Sequence, residues 1–386
     1  MSFFCPLPWV AVYIDINGQQ KICCRSTVDI PKQTLDFNHD SIRKVRLQLL
    51  QGKIPETCSY CVNAEQHNGP SLRKNAILFN PNITIESVGE VTDSNGMVSK
   101  VPLNYSLIMG NRCNLRCMMC MPECSSSWHE DWIAITGRNL PVFVSDTFSW
   151  VDDKKFINDI FLSLQESVKV NNEPTILWFS GGEVFLNPLF SKLLEKLVND
   201  GLQTKCNISI LSNGTTLSYS LEELIRKFPL LKIQFSIDGI GVKNDYIRYP
   251  SKFSVIERNI TRVADLVDTI YITVSSPNVL DIDEIINWCE DREFKTHFEI
   301  VYGPLAELSP VLLPQQIRNL AIRKLERILH RNLRHTKPNN IQSLINKLTL
   351  SQTKIHLPKF WELIDKFDKR RNTNFLDIFP EWKRFC

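Results

Sequence analysis

The sequence predicts an α/β protein built on a parallel sheet, and two observations support this. From about residue 103 onward, short apolar runs alternate six times with amphipathic stretches, which is the pattern of repeated strand–helix units. The predicted strands are 105–109, 175–179, 207–211, 232–237, 269–274 and 297–301, and the predicted helices are 152–168, 187–200, 218–228, 252–265 and 282–290. Polar residues also follow the strands, where parallel sheets place their chemistry. The sheet is predicted to be open or curled into a partial barrel.

The composition is that of a globular protein. The 386 residues are 43% hydrophobic and 23% charged, which fits two or three domains. The N-terminus lacks a basic leader, and two prolines and Asp15 interrupt its apolar residues, so neither a signal peptide nor a spanning helix is expected. We therefore expect a cytoplasmic protein without a membrane partner, in which clustered cysteines bind metals more often than they form disulfides.

Three regions are predicted. Residues 1–100 form a Cys-rich unit with a linker: a strand at 10–16, an Asn17-Gly18 turn, a returning strand at 20–24, a helix at 41–51 and an irregular segment at 79–100. Residues 101–312 form the α/β core. Residues 313–386 form a helical extension, whose first helix, 314–334, combines an apolar stripe with many arginines. That helix is expected to pack on the core with a solvated basic face, with an RNA contact as the alternative.

A group of three cysteines follows the first core strand. Cys113, Cys117 and Cys120 lie in the segment CNLRCMMC. Three thiolates can bind three irons of a cubane and leave the fourth iron without a protein ligand, and an open metal position is where a cosubstrate can bind. Zinc is the alternative, with Cys124 or His129 as its fourth ligand.

The later strand ends carry small and polar residues in the same relative position. Gly181 and Gly182 let the backbone approach a ligand closely, and Glu183 offers a carboxylate to an ammonium group. The other candidates are Ser212 and Asn213 after the third strand, Ser236 and Asp238 after the fourth, Arg248 beyond it, and Val274 and Asn278 at the fifth. Ordinary turn chemistry is the alternative explanation for the Asn-Gly and Asp-Gly pairs.

The CNLRCMMC segment resembles the signature of the radical S-adenosylmethionine (SAM) superfamily, and FSGGE resembles its GGE motif. The resemblance implies a partial (β/α)6 TIM-like barrel. It also implies a 4Fe-4S cluster on Cys113, Cys117 and Cys120, whose open iron chelates the methionine moiety of SAM. The residues implied in SAM binding are Gly181, Gly182 and Glu183 for the amino group, Ser212, Asn213, Ser236 and Asp238 for the ribose, and Arg248 for the carboxylate. Reductive cleavage of SAM would give a 5′-deoxyadenosyl radical that abstracts hydrogen from a substrate.

The N-terminal cysteines indicate a second metal centre. Cys5, Gly18 and Cys23 follow the pattern C-x12-G-x4-C, and Cys58 and Cys61 form a CxxC pair. The arrangement resembles the twitch domain, the shorter relative of the SPASM domain, and implies an auxiliary 4Fe-4S cluster, although here the unit precedes the barrel. Cys24 is an alternative to Cys23, and a four-cysteine zinc site is an alternative to the cluster.

The resemblance implies an enzyme acting on a peptide or small molecule, supplied by a low-potential electron donor such as flavodoxin or ferredoxin. No general acid or base can be assigned. A cytosolic zinc or iron–sulfur protein that binds RNA through helix 314–334 is one alternative, but it leaves the GGE motif unexplained. An RNA-modifying radical SAM enzyme is another. The net charge of +3 and the lack of a nucleic-acid-binding motif disfavour a nucleic acid partner.

Overall fold

A computed structural model describes residues 3–66, 71–139, 150–301, 303–350 and 357–386. Its strands are β1 (Ala11–Ile14), β2 (Gln20–Lys21), β3 (Asn104–Ile108), β4 (Thr175–Ser180), β5 (Cys206–Ser212), β6 (Leu230–Ser236), β7 (Val267–Val274) and β8 (Lys295–Ile300). They form one sheet in the order β2-β1-β3-β4-β5-β6-β7-β8. Strands β3 to β8 are parallel neighbours in chain order, which confirms the predicted α/β core.

Helices lie between the parallel strands in the chain and continue beyond β8. They are α1 (Leu7–Val10), α2 (Asp40–Leu50), α3 (Ser59–Gln66), α4 (Leu72–Phe79), α5 (Ile85–Glu90), α6 (His129–Thr136), α7 (Lys154–Val170), α8 (Pro188–Asn199), α9 (Tyr219–Ile225), α10 (Val242–Ile247), α11 (Phe253–Arg262), α12 (Ile282–Glu290), α13 (Gln315–Leu329), α14 (Pro338–Thr349), α15 (Leu357–Arg371) and α16 (Phe375–Ile378). Among the described helices, none is long and apolar enough to cross a membrane.

The two faces of the sheet differ because side chains alternate along each strand. Buried residues such as Leu177 and Phe179 pack against the helices. The residues between them in each strand point to the other side and form the inner face of the sheet. There, Ser106, Trp178 and Ser209 lie in one half-buried row across β3, β4 and β5. An inner face that is less buried and more polar than the core leaves room for ligands.

Residues beside the two edges of the sheet interact electrostatically. The pKa of Glu299 in edge strand β8 is lowered mainly by the hydrogen bond from His297. The charge of Arg25, which follows the opposite edge strand β2, contributes to the same shift. This interaction is compatible with the partial barrel that the sequence resemblance implies.

The Cys-rich unit joins the core sheet directly. Strand β1 pairs with β2 as the predicted hairpin, and it also runs parallel to β3. The segment 79–100, expected to be an irregular linker, contains α5 and buries Val88 and Val98 against the unit. The buried Arg46 guanidinium holds it there by donating to the carbonyl oxygens of Pro8 and Gly96 at 2.8 and 3.2 Å. Two isolated apolar residues were too weak a signal for the sequence to predict this packing.

Helix α13 confirms the predicted apolar stripe but not a wholly solvated basic face. Ile317, Ala321 and Ile328 are buried. Arg318 is buried as well, and its Nε donates to the carbonyl oxygen of Leu313 at 2.9 Å. The cation therefore caps a turn of the C-terminal region, which is a structural role.

Candidate functional site

The cysteine loop, residues 113–120, leaves the sheet at the carboxyl end of β3. Cys117 is buried, and Cys113 and Cys120 are half-buried. One side of the loop is tied to the segment after α10: the backbone N–H of Met118 donates to the carbonyl of Ile247 at 2.8 Å, and that of Arg116 donates to the carbonyl of Tyr249 at 2.6 Å. The loop is thus attached to the segment that contains Arg248.

The segment before α6 holds the other side of the loop. Ser127 Oγ donates to the carbonyl of Cys113 at 2.6 Å, and Trp128 Nε1 donates to the carbonyl of Cys117 at 2.9 Å. Ser125 Oγ donates to the carbonyl of Leu115, also at 2.6 Å. These bonds fix the backbone of the loop and leave the cysteine thiols available as ligands.

The three thiols are close enough to affect each other's ionisation. Burial raises the pKa of Cys117 to about 11, with a further contribution from Cys113. Burial, Cys117, Cys124 and Cys113 raise the pKa of Cys120 well above its usual value. Thiols must lose their protons to bind iron, so the loop offers a concentrated set of soft ligands. Within the described ranges, no group of three or more His, Cys, Asp and Glu side chains is spaced as the ligands of a single metal ion.

The turn after β4 packs on the backbone that leads into the cysteine loop. A Cβ atom added to Gly182 would lie 2.3 Å from the carbonyl oxygen of Arg112, and one added to Gly181 would lie 2.6 Å from Cγ2 of Ile108. Both glycines also have positive φ angles, +91° for Gly181 and +49° for Gly182, which favour glycine. The backbone N–H of Glu183 completes the contact by donating to the carbonyl of Arg112 at 2.8 Å.

Three donors hold the buried carboxylate of Glu183. Ser212 Oγ and the backbone N–H of Asn213 each donate to it at 2.7 Å, and the backbone N–H of Phe185 donates at 3.1 Å. Burial raises the pKa of Glu183, and the hydrogen bonds from Asn213 and Ser212 oppose that shift. The structure therefore brings together the predicted residues after β4 and β5, and Ser212 acts on the carboxylate of Glu183.

Asn213 connects the end of β5 to the cysteine loop. Its Nδ2 lies 3.8 Å from Sγ of Cys113 and 3.0 Å from Oδ1 of Asn114. Asn114 Nδ2 donates in turn to Oγ1 of Thr215 at 2.9 Å. Asn114 and Thr215 could not be selected from the sequence, because polar residues in loops usually serve turns.

The end of β6 contributes a buried ion pair. Arg248 Nη1 donates to Oδ2 of Asp238 at 2.5 Å, and the backbone N–H of Thr273 donates to Oδ1 at 2.6 Å. Arg248 Nε is buried without a hydrogen-bond partner among the described residues, and the guanidinium charge acts on Cys117 and Cys113. Ser236, the other predicted residue, is half-buried at the last position of β6. Asp238 thus pairs with Arg248, and its role toward the ribose of SAM stays a prediction.

Both candidates at the fifth strand end have hydrogen-bond partners within the protein. The carbonyl of Val274 accepts from the backbone N–H of Val301 at 2.9 Å. Asn278 is fully buried, and its Nδ2 donates to the carbonyls of Asp238 and Thr273 at 2.9 and 3.0 Å. A role of either residue toward SAM stays a prediction.

All four predicted N-terminal ligands line one pocket: Cys5, Cys23, Cys58 and Cys61. Burial and the neighbouring thiols raise the pKa of Cys5 and of Cys58 to about 12. Cys24 is exposed and does not line this pocket. Of the two adjacent cysteines, Cys23 is thus the one that faces the other three thiols.

Tyr13 occupies β1, and burial is the main reason that its pKa lies above the usual value. Cys24, Asp15, Cys23 and Cys124 add to that shift. Cysteines of the N-terminal unit and a cysteine that follows the cysteine loop therefore both act on this tyrosine.

A row of polar side chains on the inner face of the sheet was not predicted from the sequence. Strand register aligns Ser236, Tyr271 and His297 across β6, β7 and β8. The rings of Tyr271 and His297 have centroids 4.4 Å apart, and His297 Nε2 lies 3.2 Å from Oε1 of Glu299. These residues lie on three different strands, and only the strand register shows that they share a row. Spacing along the chain could not show this.

Comparison with known proteins gives a distant relative in sequence. No protein-family model matches the sequence. The GTP 3′,8-cyclase of Clostridium acetobutylicum is 24% identical over 208 residues, which cover 51% of this chain and 55% of the cyclase. The chain therefore spans little more than half of the length of this relative.

Two solved structures show a low overall likeness. The protein anSMEcpe with bound AdoMet is 18% identical, with a TM-score of 0.43 over 65% of this chain and 64% of that chain. SuiB of Streptococcus suis bound to S-adenosylmethionine is 13% identical, with a TM-score of 0.44 over 76% of this chain and 66% of that chain. The resemblance of the cysteine loop and the adjacent GGE turn to radical SAM motifs therefore stands beside a distant sequence relationship to the cyclase.

Proposed function

We propose that this protein is an enzyme that binds a 4Fe-4S cluster through Cys113, Cys117 and Cys120 and uses it to cleave SAM. The observation that carries the proposal is the convergence of three strand ends on one loop. Gly182 packs on Arg112, Asn213 lies 3.8 Å from the Cys113 thiol, and Arg248 acts electrostatically on Cys117. Three parts of the chain separated in sequence thus meet at the cysteine loop and the residue before it.

The residues present fit such a cluster. Three cysteines offer soft thiolate ligands to three irons of a cubane, and the fourth iron stays open for a cosubstrate. The buried, unpartnered Nε of Arg248 supplies a positive group beside Cys117, which suits an anionic centre. When bound, the cluster would supply the electron that cleaves SAM into methionine and a 5′-deoxyadenosyl radical.

The chain's own residues would bind and orient SAM. Gly181 and Gly182 bring the backbone close to the cysteine loop, and Glu183 supplies a buried carboxylate for the amino group. Ser212 and Asn213 fix that carboxylate by hydrogen bonds. The remaining candidates are Ser236 and Asp238 near the ribose and Arg248 near the carboxylate of SAM.

A second cluster is proposed in the pocket of Cys5, Cys23, Cys58 and Cys61. The four thiols surround a pocket, and in a cubane each thiolate binds a different iron. Because all four irons of this second cluster would be bound by protein thiolates, the cluster would have no open position for substrate. We therefore propose a twitch-like role in electron transfer.

The substrate would lie against the inner face of the sheet. The row that begins at Ser236 continues through Tyr271 to His297, so hydrogen-bonding groups extend from the proposed SAM site toward the edge of the sheet. A peptide or a polar small molecule can use such groups. The proposed electron donor is a low-potential protein such as flavodoxin or ferredoxin.

The contacts of α13 weaken the RNA-binding alternative. Arg318 is buried, Lys324 Nζ lies 2.6 Å from Oε2 of Glu381, and Arg331 Nη1 donates to Oδ1 of Asn287 at 2.7 Å. Two cations of α13 and Arg331 just beyond it therefore have partners within the chain. The basic helix no longer supports RNA binding on its own.

One anaerobic experiment tests the proposal. The protein is reconstituted with iron and sulfide, its iron and zinc are counted, and it is incubated with SAM and dithionite. About eight irons per chain, as two cubanes require, and formation of 5′-deoxyadenosine are expected. Cys117→Ala should abolish cleavage, whereas Cys386→Ala, at an exposed terminal cysteine, should not. Stoichiometric zinc without cleavage of SAM would contradict the proposal.

A further inference from the structure

Arg371 reaches the cysteine loop from the far end of the chain. It is the last residue of α15 and only 6% exposed. Its Nη2 donates to the carbonyl of Arg116, inside the cysteine loop, and its Nη1 donates to the carbonyl of Tyr246 at 3.4 Å. One side chain therefore ties the C-terminal helices to the loop and to the segment that precedes Arg248.

Aromatic rings enclose the Arg371 guanidinium. Its Cζ lies 4.6 Å from the ring centroid of Phe367, 4.9 Å from that of Tyr249 and 5.7 Å from that of Trp128. Trp128 in turn donates its indole N–H to the carbonyl of Cys117. Arg371 thus contacts the cysteine loop directly and also contacts a side chain that fixes Cys117.

The positive charge of Arg371 lacks a bonded counter-ion in the described part of the chain. The carboxylate in its vicinity, Asp131, forms ion pairs with Arg116 at 3.1 Å and with Arg370 at 2.7 Å. Arg371 donates to carbonyl oxygens, and its Nε is buried without a partner. A buried cation without a counter-ion is costly, so this arrangement calls for an anion nearby.

Cys117 is the group that would carry this anion. The charge of Arg371 acts on its thiol, as does that of Arg248. Two buried guanidinium groups, each with an unpartnered Nε, therefore border the central cysteine of the loop. Iron binding converts thiols to thiolates and would place negative charge between them.

We propose that Arg371 is a positioning residue that fixes the cysteine loop and supplies a buried positive charge beside Cys117, which makes the bound cluster easier to reduce. The inference rests on the proposed function, because it requires a cluster in the loop. Reduction adds one negative charge to the cluster. A cation in a poorly solvated site stabilises that charge more strongly than one in water, and local charge is among the determinants of cluster potentials.

The test compares Arg371→Gln, which removes the charge but keeps an N–H donor, with Arg371→Lys, which keeps the charge. Arg370→Gln is the matched control, because Arg370 is the exposed neighbour and pairs with Asp131. Each reconstituted protein is titrated anaerobically while electron paramagnetic resonance follows the signal that SAM perturbs. Iron content and thermal unfolding are measured in parallel.

We expect Arg371→Gln to lower the ratio of reduced to oxidised cluster about tenfold at a fixed potential, which corresponds to a midpoint about 59 mV more negative. The midpoints of Arg371→Lys and Arg370→Gln should stay close to that of the wild type. An unchanged midpoint in Arg371→Gln, or equal shifts in the Gln and Lys variants, would overturn the inference. If Arg371→Gln does not retain its cluster, the Arg371→Lys variant decides. An unchanged midpoint potential in that variant supports the role of charge, and a tenfold fall in its ratio of reduced to oxidised cluster refutes it. Absence of a SAM-sensitive cluster in the wild type would instead refute the proposed function.

Discussion

Nδ2 of Asn213 lies 3.8 Å from Sγ of Cys113, across 100 residues of sequence. This contact joins the end of β5 to the first cysteine of the loop. Hydrogen bonds to ligand sulfurs tune iron–sulfur clusters. Asn213 therefore has two roles. Its backbone N–H donates to the carboxylate of Glu183, and its side chain borders the proposed cluster site.

Replacing the Asn213 side chain tests this contact. Asn213→Ala should keep the backbone bond to Glu183 and lose the amide beside Cys113. Since a hydrogen bond to a charged group contributes about 1.5–3 kcal/mol, we expect a tenfold or greater fall in the rate of SAM cleavage. Asn199→Ala, at an exposed residue at the end of α8, is the control. Equal rates in both variants would contradict a role for the amide.

Glu183→Gln tests the buried carboxylate. The two oxygens of Glu183 accept from three donors, so an amide nitrogen at either position would face an N–H or O–H group. The free energy of unfolding should fall by about 1–3 kcal/mol, and binding of SAM should weaken. Denaturant unfolding and calorimetry measure the two effects. The exposed Glu195 provides the control substitution Glu195→Gln, for which a change within about 0.5 kcal/mol is expected.

Gly182→Ala and Gly201→Ala separate backbone strain from close packing. Both glycines have positive φ angles, but only Gly182 has a backbone oxygen within 2.3 Å of an added Cβ; at Gly201 no atom lies within 4 Å. Gly201→Ala should cost about 1–2 kcal/mol of stability from strain alone. Gly182→Ala should cost more than about 3 kcal/mol, because displacement of the cysteine loop adds to strain. Comparable losses in thermal and denaturant unfolding would show that the GGE turn does not pack on the loop as described.

The N-terminal centre can be tested with the adjacent cysteines. Cys23 lines the four-cysteine pocket and Cys24 does not. Cys23→Ser should therefore reduce the iron content from about eight to about four per chain, while Cys24→Ser should leave it unchanged. Iron analysis after anaerobic reconstitution measures both. Loss of iron in Cys24→Ser alone would reverse the assignment of the ligand.

Much of the core was predictable because each strand alternates buried and half-buried residues between turn signals. The six predicted strands all exist, and the polar residues after β4, β5 and β6 approach one loop because parallel strands end at the same edge of a sheet. The packing of segment 79–100 was not predicted, because its buried hydrophobic side chains, Val88 and Val98, are isolated in the sequence.

The rest of the site depends on tertiary contacts that spacing does not encode. Arg371 lies 255 residues from Arg116, whose carbonyl it binds. Tyr271 and His297 share a row with Ser236 only through strand register. Asp238 and Arg248 were both identified from their positions, but their ion pair emerged only in three dimensions.

The central claim of the proposed function is that an open iron in the cysteine loop binds SAM. The most direct test is the electron paramagnetic resonance spectrum of the reduced Cys23→Ser protein, which should contain only the core cluster, recorded with and without SAM. A new ligand on the open iron should change the spectrum, and 5′-deoxyadenosine should then accumulate. A cluster whose spectrum does not respond to saturating SAM would contradict the account.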